Sequence, residues 1–276
     1  MKNKYLIFDL DGTLLNKLHE INYSSIEALE EATNKGCNVA IATGRSYKLA
    51  IDEIKMAQVK NYSILCNGAL IYDVKKSKII RNAKPLKKEL IKAFLDLVKK
   101  YDSGFLVYTE TENYFYSNSK DARLAFKPYL EGSIDLTNLG MDRVEKFLES
   151  NDIFTLTQYS KNISSNDFMK EFEEFKTKKE LCNMSSAIDG FVDIYPMGIS
   201  KWSGFLKLQE LMKIDINDVY YFGDSMNDLE MIQKIPNSVA MGNAVEQVKK
   251  HAKYKIGDND TDAIAKFVYD ILDNKV

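Results

Sequence analysis

Short oxygen-bearing side chains collect at four places in this chain, and each place follows an apolar run. Asp9 and Asp11 follow Tyr5–Phe8, Thr43 and Gly44 follow residues 37–42, and Asn67 and Gly68 follow residues 63–66. Asp224, Ser225, Asn227 and Asp228 follow Val219–Phe222. A continuous apolar run closed by a polar turn reads as a strand buried on both faces. In open α/β sheets ligands bind beyond the carboxyl ends of such strands, so adjacent strands would bring these groups to one crevice. Several carboxylates in one crevice repel each other and call for a cation. With no His or Cys among these oxygen donors the ion is hard, and Mg²⁺ is the expected choice. Magnesium keeps much of its water, so two or three protein oxygens suffice and a position remains for a phosphate oxygen.

A phosphate dianion also needs donors. The backbone N–H groups of Leu10 and Asp11, the Thr43 hydroxyl and the Gly44 N–H are candidates, with Gly12 and Gly44 permitting close backbone approach. A point charge is still required, and Lys201, which opens a later helix, is placed to supply it. Each element also has a plainer reading. Asp-Leu-Asp-Gly-Thr and Gly-Asp-Ser-Met-Asn-Asp are ordinary turn and capping sequences, and Thr-Gly-Arg is a common loop tripeptide. Their conjunction, each at a strand end or helix start, outweighs those separate readings.

The elements that must position these residues read as two blocks. Strand 5–8, a helix from Ser24 (a candidate N-cap) to Lys35, strand 37–42, a helix over 46–57 and strand 63–66 form a strand–helix alternation, the mark of a parallel α/β sheet. After Ala83 the rhythm changes to mixed α+β. Helices are expected over 85–100, 121–129, 141–149 and 165–178, a hairpin over 105–108 and 114–117, and strands over 154–159 and 191–195. The first rhythm resumes at Ser200. The expected organisation is a core domain of residues 1–83 and 196–276, doubly wound and Rossmann-like, with an inserted α+β domain over 84–195.

The chain has 276 residues, 45% hydrophobic and 28% charged, with a formal net charge of −2. No one-signed field favours nucleic acid or an anionic membrane. The Lys pairs 75–76, 87–88, 99–100, 178–179 and 249–250 read as solvated helix faces. Cys37, Cys66 and Cys182 lack paired spacing and read as reduced thiols of a cytoplasmic protein. No run reaches the length of a membrane span.

Taken together, the motifs resemble those of the haloacid dehalogenase superfamily, in its Cof-type branch (subfamily IIB, with a C2-type cap). Asp9-Leu-Asp-Gly-Thr-Leu-Leu15 resembles the first motif, Thr43-Gly-Arg45 the second, Lys201 the third and Gly223-Asp-Ser-Met-Asn-Asp228 the fourth. Asn67-Gly-Ala69, Val192–Lys201 and Val239-Ala-Met-Gly-Asn-Ala244 are also similar to stretches of that family, and Asp258–Asp262 fits loosely a polar stretch before its last helix. Trp202 departs from the family's usual Gly and is expected to pack or to touch the site's floor. The resemblance implies a phosphatase with Asp9 as nucleophile and Asp11 as general acid and base. It implies Mg²⁺ on Asp9, the Asp11 carbonyl and Asp224, and phosphate held by Leu10, Thr43, Gly44, Lys201 and Asn227. Asp228 would orient Lys201 or a metal-bound water, with Ser225 beside it.

The inserted domain would be the cap that reads the substrate. Arg45, Asn67 and Asp189 are candidate contacts there, as are Tyr108, Tyr114, Tyr116 and Tyr159, although alternating tyrosines more often pack a sheet. The expected partner is a small phosphorylated metabolite: a sugar phosphate, pyridoxal phosphate, flavin mononucleotide or a nucleotide. Competing readings are a mutase or phosphotransferase of the same chemistry, a non-catalytic phosphometabolite sensor and a phospho-acceptor signalling domain. The last two fit less well, because no motif is broken and a second Asp stands two residues after the first.

Overall fold

The computed structural model describes residues 4–174, 182–186 and 190–276. It divides into two compact units: unit 1 is Met1–Gly44, Ala50–Asn82 and Ser200–Val276, and unit 2 is Arg45–Leu49 with Ala83–Ile199.

In unit 1, β1 (Tyr5–Phe8), α1 (Tyr23–Asn34), β2 (Asn38–Ile41), α2 (Tyr47–Met56, whose first residues belong to unit 2) and β3 (Tyr62–Leu65) alternate. Leu6, Ile7 and Phe8 are almost fully buried, the reason β1 is apolar throughout instead of alternating. β4 (Leu70–Asp73) then pairs antiparallel with β3 and β5 (Lys78–Arg81) antiparallel with β4. This meander is not foreseen from sequence. β5 is exposed at both ends and carries Lys78 and Arg81, so no apolar run marks it. Lys75 and Lys76 lie in the turn between β4 and β5, not on a helix face.

Unit 2 opens with α3 (Lys88–Lys100), β6 (Gly104–Tyr108), β7 (Asn113–Tyr116), α4 (Lys120–Ala125), β8 (Ser133–Asp135) and α5 (Met141–Ser150). It continues with β9 (Thr155–Tyr159), α6 (Ser165–Glu174), β10 (Cys182–Ser185) and β11 (Phe191–Pro196). The strands form one sheet in the order β10-β11-β9-β6-β7-β8, antiparallel except where β8 joins β7. Phe105, Val107, Tyr116, Leu156, Val192 and Ile194 share one sheet face and pack with Leu90, Phe94 and Val98 of α3, Val144 and Leu148 of α5 and Phe168 of α6. The helix expected over 121–129 stops at Ala125 and gives way to a 3₁₀ turn over Lys127–Tyr129. Pro128 has no N–H to continue an α-helix. The later part of the helix expected to reach residue 178, and Lys178–Lys179, lie outside the described residues.

Unit 1 resumes with α7 (Lys201–Met212), β12 (Val219–Gly223), α8 (Leu229–Lys234), β13 (Asn237–Ala240), α9 (Glu246–His251), β14 (Tyr254–Lys255) and α10 (Ala263–Leu272). Its parallel sheet runs β14-β13-β12-β1-β2 and is extended toward β3 by a bridge between Ala42 and Ile64. From β1 the chain builds outward through β2 on one side; after unit 2 it returns to β12 on the other. The order therefore reverses between β1 and β12, a switch point where loops diverge and leave a crevice. The fold is a Rossmann-like α/β core with an additional α+β unit. Among the described residues no helix is long and apolar enough to cross a membrane.

α1 starts differently from expectation. Its N-cap is Asn22, without a side-chain cap bond, while the Ser24 hydroxyl donates to Asp262 Oδ1 at 2.6 Å. Ser24 is spent on tying α1 to the start of α10.

Candidate active site

Asp9 directly follows β1 at the switch point, its N–H donating to Phe222 O of β12. Stacking of Phe8 on Phe222, with ring centroids 4.3 Å apart, fixes the two strand ends side by side. The chain then turns tightly: Thr13 and Leu15 N–H donate to Leu10 O, and Leu14 N–H to Asp9 O. Gly12 sits at φ +78°, and a Cβ there would lie 2.4 Å from Asp224 Oδ2. Only glycine lets this loop approach the tip of β12 so closely. The Thr13 hydroxyl donates to Asp224 Oδ1 at 2.8 Å and completes that junction.

Lys201 is the first residue of α7, whose start is fixed by a reciprocal cap between Ser200 and Ser203. Gly68, at φ +100°, lets the turn after β3 meet the α7 terminus, since a Cβ there would fall 2.1 Å from Ser200 O. The Lys201 ammonium is fully buried and donates to Asp9 Oδ1 and Asp228 Oδ1, each at 2.6 Å. Asp228 is fully engaged: Oδ1 also accepts from the Tyr221 hydroxyl at 2.5 Å, and Oδ2 from the Asp224 and Ser225 N–H groups. Asp228 Oδ1 thus joins Lys201 to the Tyr221 hydroxyl.

Charge balance explains the titration behaviour. Burial by itself would lower Lys201, but the charges of Asp228 and Asp9 and the bonds to them raise it, so it stays an ammonium. One ammonium faces three carboxylates, Asp9, Asp224 and Asp228, whose oxygens lie within 4.8 Å of one another. Burial pushes Asp9 well up; Lys201 opposes this, while Asp228 and Asp224 add to it. Burial, then the charge of Asp228, lifts Asp224 to about 7 against the Thr13 hydroxyl and Lys201. Among the described residues Asp9 Oδ2 and Asp224 Oδ2 receive no hydrogen bond. A surplus of negative charge with two unengaged carboxylate oxygens is a donor set that fits a hard divalent cation.

The remaining candidates fall in several places. Thr43 is buried, its N–H donating to Ile64 O and its carbonyl accepting from Asn67 N–H. Gly44 adjoins the Asn67 amide, which a Cβ on Gly44 would meet at 3.2 Å. Asn67 is buried at φ +51°, and its Oδ1 accepts from Asn227 Nδ2 at 3.1 Å, while Asn227 Oδ1 accepts from the Ser225 hydroxyl. Asn67, Asn227 and Ser225 thus form one chain of side-chain bonds. Arg45 belongs to unit 2, where it donates to Leu49 O and lies over the Tyr129 ring. Asp189 lies outside the described residues. Trp202 packs on Phe205 beneath the Lys234 ammonium. Tyr116 is buried and stacks on Phe105, Tyr114 packs on Phe147, and Tyr159 on Phe126 and Phe191. Each of these three packs on an aromatic neighbour, and Tyr108 is buried in β6.

Sequence reasoning passed over three neighbours of the site. Thr13 stands inside the first motif and offered a signal. Tyr221 lies in an apolar strand and offered none. His19 approaches through a loop, its Nδ1 3.8 Å from Asp11 Oδ1.

The family model for haloacid dehalogenase-like hydrolases matches residues 6–268. The chain belongs to that family. Within the haloacid dehalogenase-like hydrolases it is 30% identical over 289 residues to the pyridoxal phosphate phosphatase YbhA of Escherichia coli, covering 99% of this chain and 100% of that one. It is 27% identical over 265 residues to the 5-amino-6-(5-phospho-D-ribitylamino)uracil phosphatase YcsE of Bacillus subtilis, covering 96% and 94% of the two chains. A solved sugar phosphatase of subclass IIB superposes with a TM-score of 0.81 at 25% identity, covering 98% of this chain and 99% of that one. The protein is a phosphatase of the Cof-type branch of this superfamily.

Proposed function

We propose that the protein hydrolyses a small phosphate monoester with Mg²⁺, through an aspartyl phosphate on Asp9. The observation that carries this reading is the Asp9 carboxylate itself: buried, held by Lys201 through Oδ1 and unengaged at Oδ2. A carboxylate anchored at one oxygen and bare at the other is oriented as a nucleophile. Asp9 attacks phosphorus, the new O–P bond forms as the ester P–O bond breaks, and the Asp11 carboxyl gives its proton to the leaving alkoxide. The Asp11 carboxylate then takes a proton from water, whose oxygen attacks phosphorus and frees Asp9. Lys201, the Thr43 hydroxyl and the N–H groups of Leu10 and Gly44 hold the phosphoryl oxygens, with Asn227 beside them. Asp9, Asp224 and the Asp11 carbonyl would hold Mg²⁺, which when bound offsets charge on the transferring group.

The substrate belongs to the class of metabolite monoesters. The pyridoxal phosphate, ribitylaminouracil phosphate and sugar phosphate named for the relatives and the subclass IIB neighbour support a substrate of that class. Unit 2, inserted between the second and third motifs, is assigned the reading of the substrate's remainder. The test is phosphate release from a panel of such esters, with and without Mg²⁺, alongside Asp9→Asn. Release that needs the metal and is absent from the variant supports the reading; equal release by a folded Asp9→Asn variant ends it.

A further inference from the structure

Two motifs singled out in the sequence, Val239–Ala244 and Asp258–Asp262, have no part in the chemistry above, yet both touch the loop that carries Asp11. Asn243 Nδ2 donates to Gly12 O at 2.7 Å, and Asn259 Nδ2 donates to Leu15 O at 2.7 Å. The two asparagines are themselves joined, Asn259 N–H donating to Asn243 Oδ1 at 3.2 Å. Asn259 is buried, and its own loop is fastened from outside. Asn22 Nδ2 donates to Asn259 O and Thr261 O, and Lys17 N–H donates to Asp260 Oδ1. In the sheet order β14-β13-β12-β1, Asn259 follows β14 and Asn243 follows β13, so the Asn259 bond joins loops with two strands between them and the Asn243 bond joins loops with one. They grip the loop at the residue after Asp11 and again three residues further on. Asn243 and Asn259 are neutral and add nothing to the crowded charges of the site; what they supply is geometry.

We infer that Asn243 and Asn259 are positioning residues, a paired clamp that sets the Asp11 carboxyl for proton transfer. The inference rests on the proposed role of Asp11. Misplacing a catalytic group by about 1 Å can cost on the order of 10²-fold, and a general acid contributes roughly 10² to 10⁴-fold. Loss of the clamp should therefore show most where the leaving group needs a proton. The probes are benzyl phosphate, which leaves as a strongly basic alkoxide, and p-nitrophenyl phosphate, which leaves as a stable phenolate. They are similar in size.

The experiment compares kcat/KM for both esters in wild type, Asn243→Ala, Asn259→Ala and Asp11→Asn, with thermal unfolding to confirm folding. The expected result is a loss of about 10- to 100-fold on benzyl phosphate but under about 3-fold on p-nitrophenyl phosphate, in the same direction as Asp11→Asn. Should Asn259→Ala fail to fold, the solvent-exposed Asn243 carries the test. An equal loss on both esters, or none, in the asparagine variants while Asp11→Asn discriminates overturns the clamp and leaves the mechanism standing. If Asp11→Asn itself does not discriminate, the acid assignment falls and the clamp with it.

Discussion

Units 1 and 2 bury their polar groups in opposite ways. Among the described residues every buried charged side chain (Asp9, Asp73, Lys201 and Asp228) belongs to unit 1, whereas unit 2 buries only neutral polar groups such as Asn113, Thr155 and Gln158. Unit 2 is held by an aromatic and aliphatic layer between its sheet and α3, α5 and α6. Buried charge is tolerated only when paired and hydrogen-bonded, so unit 1 must order its backbone around Lys201 to keep it. The chemistry and the architecture of unit 1 are therefore one structure. In unit 2 the sheet stands without any such constraint, and its side chains can vary as long as the layer stays filled.

Changes that strike unit 1's charges test this contrast hardest. Asp9→Asn should lower turnover on the order of 10⁴-fold or more, as loss of a covalent nucleophile does, measured as steady-state phosphate release. Next comes Lys201→Met, which strands Asp9 and Asp228 and should cost about 3–5 kcal/mol of stability by denaturant unfolding. A stable Lys201→Met protein would break the comparison. Gly12→Ala forces a Cβ onto Asp224 at a positive φ; the Mg²⁺ concentration for half-maximal activity should rise roughly 10- to 100-fold, read from metal titrations.

A pH experiment sharpens the same point. Asp224 is raised in the folded protein from 3.8 to about 7. The stability linked to its protonation is thus fully present below about pH 3.8 and is lost as pH rises through about 7. In metal-free buffer the melting temperature of wild type should fall across this window relative to Asp224→Asn, and Mg²⁺ should restore it at the upper end. Parallel melting curves without metal would contradict the charge surplus. The smallest effect belongs to unit 2. Tyr116→Phe removes only an acceptor for Asn118 Nδ2 and should cost about 0.5–1.5 kcal/mol with kcat/KM unchanged for the substrates of the panel.

How far each feature could be read in advance follows from its range along the chain. β1, β2, β3 and β12 were legible because strands buried on both faces are apolar without interruption, and the motifs sit directly at their ends. β5 was hidden because its exposed residues leave no such run. The break in the helix after Ala125 was readable at Pro128, had its missing N–H been weighed. The tyrosines of unit 2 were ambiguous for a different reason: alternation marks a strand but not which face meets the helices, and Tyr116 turned to the packed face.

By itself, then, the sequence determined the types and local settings of the reactive groups: two aspartates after β1, a lysine opening α7, and a polar turn after β12. The tertiary structure decided which of them are partners. Lys201 finds Asp9 across 192 residues and Asp228 across 27, and Asn259 reaches Leu15 across 244. Those distances close only because the sheet order reverses between β1 and β12 and brings strands remote in sequence to lie edge to edge. Strand order is set by the packing of whole elements, and no local pattern records it.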